Sequence, residues 1–168
     1  MIVGLSLANF TLLHVIISLI GIATGLIAVL GLCGGRLLTG WTALFLLTTV
    51  ATSVTGFMFP SSSFGPSQIV GVVSLIALAI AISALYVYHV AGPWRWIYAI
   101  TASLSLYLNV FVGVAQAFDK IPALHPLAPT GSEPAFKIAQ LIVLIIFIVL
   151  TITAVRRFRP AVSIRPVN

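Results

Sequence analysis

Asn109, Gly113 and Gln116 stand at i, i+4 and i+7, so a helix through them carries two amides and a gap along one face. Thr48, Thr52 and Thr55 repeat at helical spacing in an earlier segment, His14 sits in the first apolar run, and Lys137 and Gln140 open the last one. Amides, hydroxyls and an imidazole in otherwise apolar segments donate and accept hydrogen bonds. They are expensive there, which makes them the first candidates for function. The chemistry they offer is the polar lining of a shallow cup. The competing use is hydrogen bonding between helices, worth about 0.6 kcal/mol per contact.

Catalytic chemistry has little to work with. The chain has two acidic residues, Asp119 and Glu133, and one cysteine, Cys33. It offers no nucleophile–base–acid set, no paired carboxylates and no glycine-rich phosphate loop, so a non-enzymatic protein is expected. The three histidines make a weak metal signal. His14 and His89 fall at opposite ends of their segments, roughly 20 Å apart by helix rise, too far to share one haem iron. His125 lies in a loop. No metal and no cofactor are expected.

The segments that carry these groups decide the fold class. Of 168 residues, 61% are hydrophobic and 6% charged, against about a quarter charged in a soluble domain. So few charges cannot cover a soluble globule, and lipid is the expected solvent. Crossing about 30 Å of hydrocarbon takes roughly 20 apolar residues. Five stretches qualify, at about 9–32, 40–59, 68–89, 94–118 and 134–155. A spanning segment must satisfy its own backbone, so each reads as a helix. The expectation is all-α: a polytopic integral membrane protein, one transmembrane domain over 1–168, built as a bundle of five transmembrane helices.

Charge sets the sidedness. If the segments alternate, one side receives Lys120 and Lys137, and the other receives Arg36, Arg95, Arg156, Arg157, Arg159 and Arg165. Cytoplasmic loops carry the Lys/Arg excess. The reading is therefore N-terminus out and C-terminus in, with 119–133 an extracytoplasmic loop and 156–168 a basic cytoplasmic tail. The formal charge of +6 marks helix ends rather than a nucleic-acid face. Tyr86, Tyr88, Trp94, Trp96 and Tyr98 gather around "HVAGPWRW" as an interfacial belt, and Gly92-Pro93 is expected to break the helix there. Ser18, Gly21, Gly25 and Ala28 give the first helix a small-residue face, and Gly71, Ser74, Ala77, Ala81 and Ala84 do so for the third. Thr130 and Glu133 match the T-x-x-E capping pattern, with Ser132 as an alternative N-cap, and Glu133 and Lys137 are spaced to pair.

In this topology the strong polar groups fall at mid-membrane or in the outer half. His14, Asn109, Gln116 and Gln140 are the candidate lining of an outward-facing polar cup. Asp119, Lys120, His125 and Glu133 are the candidate lid.

"LYLNVFVGVAQAFDKIPALHPLAPTGSEPAFKIAQ", residues 106–140, resembles a stretch common to small bacterial inner-membrane proteins. The resemblance implies a bacterial inner (plasma) membrane and supplies neither an activity nor site residues. The expected function is an accessory subunit or a binder of a small apolar or lipidic ligand, and the alternative is a small transporter or channel. Expected partners are the lipid bilayer and a larger membrane complex or a second copy of the chain. No nucleic acid is expected.

Overall fold

The computed structural model describes residues 4–60 and 65–159. Within these the chain is helical, without a β-strand. Five α-helices run in order: α1 (Leu7–Cys33), α2 (Thr39–Gly56), α3 (Pro66–Ile82), α4 (Trp94–Lys120) and α5 (Pro134–Arg157). A π-helical turn, Ser83–Val87, prolongs α3, and a short 3-10 turn, His125–Leu127, lies between α4 and α5. Four helices are long and apolar enough to cross a membrane: α1, α3 with its π extension, α4 and α5. α2 falls short of that standard because six of its 18 residues are threonine.

Local chemistry sets the ends. Ser6 caps α1, its Oγ accepting from the Asn9 N–H at 3.2 Å. At the far end Gly35 takes φ +75°, and two bonds close a Schellman motif: Arg36 N–H to Gly31 carbonyl and Gly35 N–H to Leu32 carbonyl, both 2.9 Å. Pro66 and Pro134 open α3 and α5 at the first helical position, where a missing N–H costs nothing. The α3–α4 turn departs from expectation. It breaks at His89 and Val90, both left-handed at φ 49° and 50°, ahead of Gly92-Pro93.

α1 and α2 lie antiparallel over their whole length. His14 meets Thr55, Ser18 meets Thr52, and Gly25 faces Phe45, with Gly31 against Leu38 at the turn. One partner number climbs as the other falls, so α2 covers the same depth as α1. α4 packs on α1, α3 and α5, and α2 bridges α1 to α3. The small-residue face of α1 makes this possible: a Cβ on Gly25 would lie 2.6 Å from Leu106 and 2.7 Å from Phe45.

Packing differs between the two ends of the bundle. At the end holding Cys33, Trp94 and Arg157, the core is dense and includes Phe45, Tyr98, Leu106 and Phe158, each at most 1% exposed. Tyr98 thus leaves the expected interfacial belt for the core. Tyr86, Tyr88 and Trp96 are exposed, and Tyr88 stacks on Trp94 at 3.6 Å. At the other end small residues, among them Ser53 and Gly56 on α2 and Ser74 on α3, face a space that the described side chains leave open.

Candidate functional site

That space is a cavity of about 630 Å³ bounded by α1, α2, α3 and α4. It runs from the helix ends, at Leu7, Pro60, Ser67 and Lys120, down to Asn109. By helix rise Asn109 lies about 16 Å below the end of α4. The cavity exists because Ser18, Ser53, Gly56, Gly71, Ser74 and Gly113 line it where larger residues would fill it. Below this level Phe45 and Leu106 close the bundle.

Of the residues read as a cup, His14, Asn109 and Gln116 line this cavity. Gln140 does not. It is buried on α5 and turned to the far side of α4, where its Nε2 donates to the Phe111 carbonyl at 3.0 Å. Gln140 therefore joins α4 to α5. The four residues do not form one group.

The loop between α4 and α5 also lies elsewhere. Lys120 lines the cavity, while Asp119 borders a separate space of about 200 Å³ with Phe118, Ala128, Thr130 and Phe136. His125 is exposed in its 3-10 turn. Glu133 is the N-cap residue of α5, so the helix starts after the expected Thr130 or Ser132 cap. Its carboxylate turns back instead of reaching Lys137, accepting from Thr130 N–H at 3.0 Å, Thr130 Oγ1 at 2.8 Å and Ser132 N–H at 2.9 Å. Partial desolvation raises the Glu133 carboxyl, but these hydrogen bonds outweigh it and hold the group below its ordinary value. The loop thus packs over the α4–α5 end. The other loop at this end of the bundle includes residues 61–64, which lie outside the described residues, as does the tail from residue 160 onward.

Polar contacts organise the cavity wall. His14 Nδ1 and Thr55 Oγ1 are 2.8 Å apart. The Thr55 hydroxyl also lies 2.7 Å from the Ala51 carbonyl of its own helix, and the His14 tautomer decides which partner donates in the contact between them. Ser18 Oγ donates to the His14 carbonyl at 2.8 Å, and Ser53 Oγ donates to Ser74 Oγ at 3.2 Å. Phe59 stands edge-on to the His14 ring at 5.1 Å. At the floor, Asn109 is 8% exposed and its Nδ2 makes no hydrogen bond. It lies beside Gly21, where a Cβ would come within 3.1 Å of it and 3.2 Å of both Thr48 Oγ1 and Thr49 Oγ1.

Ser53, Ser74 and Gln68 were not legible as cavity residues from sequence. The available signal was the pairing of small residues on α2 (Ser53, Gly56) with small residues on α3 (Gly71, Ser74), which reads equally as close helix packing. Lys120 and Asp119 form an ion pair at 2.7 Å beside the cavity, both side chains largely exposed. Among the described residues, no three His, Cys, Asp or Glu side chains come together. Comparison with protein-family models, with curated proteins and with solved structures gives no match.

Proposed function

We propose that this chain is a five-pass protein of a bacterial inner membrane that binds a small apolar or lipidic ligand, either alone or as an accessory subunit of a larger membrane complex. The observation that carries this reading is the cavity: about 630 Å³, within the range of ligand sites, with apolar walls and a few oriented polar groups. The paired course of α1 and α2 supports five crossings, since a helix alongside a spanning partner must traverse the same depth. Its threonines do not forbid this. Thr48 and Thr55 donate to carbonyls of their own helix at 2.7 Å, which satisfies the hydroxyl hydrogens without water.

Sidedness follows from charge. Gly35 approaches the backbone of Arg157, so the ends of α1 and α5 lie together, on the end of the bundle that also carries Arg36, Arg156 and Arg159. The Lys/Arg excess supports a cytoplasmic side for that end, and on that reading the cavity faces outward. The transporter alternative receives no support from the packed half, where Phe45, Leu106 and Tyr98 close the bundle.

The test is native mass spectrometry of the full chain released from a mild detergent. A bound lipidic mass is expected, and it should be lost from Ser74→Trp, which fills the cavity from α3. Retention of the same adduct by a folded Ser74→Trp variant would reject the cavity as the site.

A further inference from the structure

The ligand-binding reading leaves open which chemistry the cavity prefers, and the hydrogen bonds of its wall bear on that choice. Thr55 has one hydroxyl hydrogen, and its own helix offers the Ala51 carbonyl at 2.7 Å, the ordinary acceptor for a helical threonine four residues on. The 2.8 Å contact to His14 Nδ1 is then an N–H donated by the ring. A neutral imidazole carries one such hydrogen, so Nε2 presents a lone pair. Nε2 makes no hydrogen bond to any described residue, and His14 lines the cavity.

The neighbouring hydroxyls add to the same bias. Thr11 gives its hydrogen to the Leu7 carbonyl at 2.8 Å, Ser18 to the His14 carbonyl at 2.8 Å and Ser53 to Ser74 at 3.2 Å. What these three offer a ligand is lone pairs. The Asn109 Nδ2 donor is buried against Gly21 at the floor of the cavity. Gln116 and Ser74 also line the space and keep hydrogens to donate, so a ligand with both a donor and an acceptor can use the whole wall, and only one with a donor can use His14 Nε2.

Charge narrows the donor. No Asp or Glu lines the cavity, so an ammonium would be desolvated without a counter-charge. Lys120, the cation at its rim, is neutralised by Asp119 at 2.7 Å, which leaves no spare positive charge for a carboxylate. A neutral hydroxyl meets both conditions. The rest of the wall, including Val15, Leu19, Ile22, Val70 and Val112, suits an aliphatic or isoprenoid body.

We propose that the cavity selects neutral lipidic alcohols, with the ligand hydroxyl donating to His14 Nε2 and Thr55 acting as the positioning residue that fixes the His14 tautomer. This rests on the cavity being the ligand site. The test uses the full chain in phosphatidylcholine nanodiscs with two radiolabelled probes, farnesol and farnesyl methyl ether, corrected for partition into empty discs. Farnesol should bind about three- to ten-fold tighter than its ether, the size of one net hydrogen bond. In His14→Phe, which keeps a ring against Phe59, the preference for farnesol over its ether should vanish. In Thr55→Val, where the tautomer is no longer held, the preference should shrink. Equal affinities in the unaltered protein, binding of neither probe, or a preference that survives in both variants overturns the proposal. Should His14→Phe fail to fold, Thr55→Val and the two-probe comparison decide alone. If both probes bind but Ser74→Trp displaces neither, the cavity reading itself fails, which is a separate outcome.

Discussion

His89 and Val90 occupy the same unusual backbone region for different reasons, and a pair of substitutions separates them. Both are left-handed, near φ +50°, which costs a residue with a Cβ about 1–2 kcal/mol. His89 is exposed, whereas Val90 is 6% exposed and belongs to the core. Its N–H also donates to the Ala84 carbonyl at 2.9 Å, tying the turn to the π-helical segment. Core packing thus holds the strain in place. His89→Gly removes the penalty and loses little contact, but it adds unfolded-state entropy of about 0.5–1 kcal/mol. The net expectation is stabilisation by about 0.5–1 kcal/mol. Val90→Gly relieves the same backbone but forfeits burial of the side chain, worth about 1.5–3 kcal/mol, and should destabilise. Thermal unfolding of the two variants in detergent checks the contrast. Equal shifts of the same sign would mean that the turn is not strained as described.

At the scale of elements, the α5 start shows how far sequence carries and where it stops. Periodicity and hydrophobic length placed all five helices within about three residues of their ends, except α3. Its regular turns stop at Ile82 because Val90 must reach the core. Proline before α5 was readable, and so was a reciprocal Thr130–Glu133 contact. The cap itself was not. A carboxylate can reach back to Thr130 or forward to Lys137, and only the loop geometry decides. The same limit applies to the cup. The amide stripe of α4 was legible, but which neighbour each face meets was not. Gln140 therefore belonged to the wrong group, since its helix lies on the far side of α4. The Glu133 arrangement has a pH signature. Its carboxyl is held below the ordinary value, so the stabilisation is complete above the ordinary glutamate pKa of about 4.3. It is lost as pH falls through the lower, folded value. Hydrogen-exchange protection at Thr130 and Ser132 should fall together in that acid range. Glu133→Gln should show reduced protection already at neutral pH and no acid step. An acid step that persists in Glu133→Gln would assign it to another group.

The whole molecule couples helix parity to sidedness. Four helices are apolar enough to cross a membrane by composition, and α2 is not. If α2 stayed outside the membrane, α1 and α3 would have to cross in opposite senses, whereas α2 runs antiparallel to both and leaves them parallel. Yet α2 pairs with α1 from the Gly31–Leu38 turn to the His14–Thr55 contact, and Phe45 on α2 is fully buried at the centre. Pulling α2 to the interface would expose the Gly21–Gly25 face of α1 and the polar atoms beside Asn109 to lipid, where unsatisfied groups cost several kcal/mol each. The bundle is therefore expected to insert as a unit with an odd number of crossings. An odd number of crossings would put the termini on opposite faces, and the Lys/Arg excess would then put the arginine-rich end inside. Reporter fusions test this directly. A fusion after Arg159 should be active only with a cytoplasmic reporter, and one in the 121–133 loop only with a periplasmic reporter. A cysteine at Gly40, beyond the α1–α2 turn, should react with a membrane-impermeant thiol reagent only after the membrane is opened. Labelling of that cysteine from outside intact cells would put the α1–α2 turn on the wrong face. The outward orientation of the cavity would then be lost, whereas two fusions reporting the same side would reject the five-crossing reading.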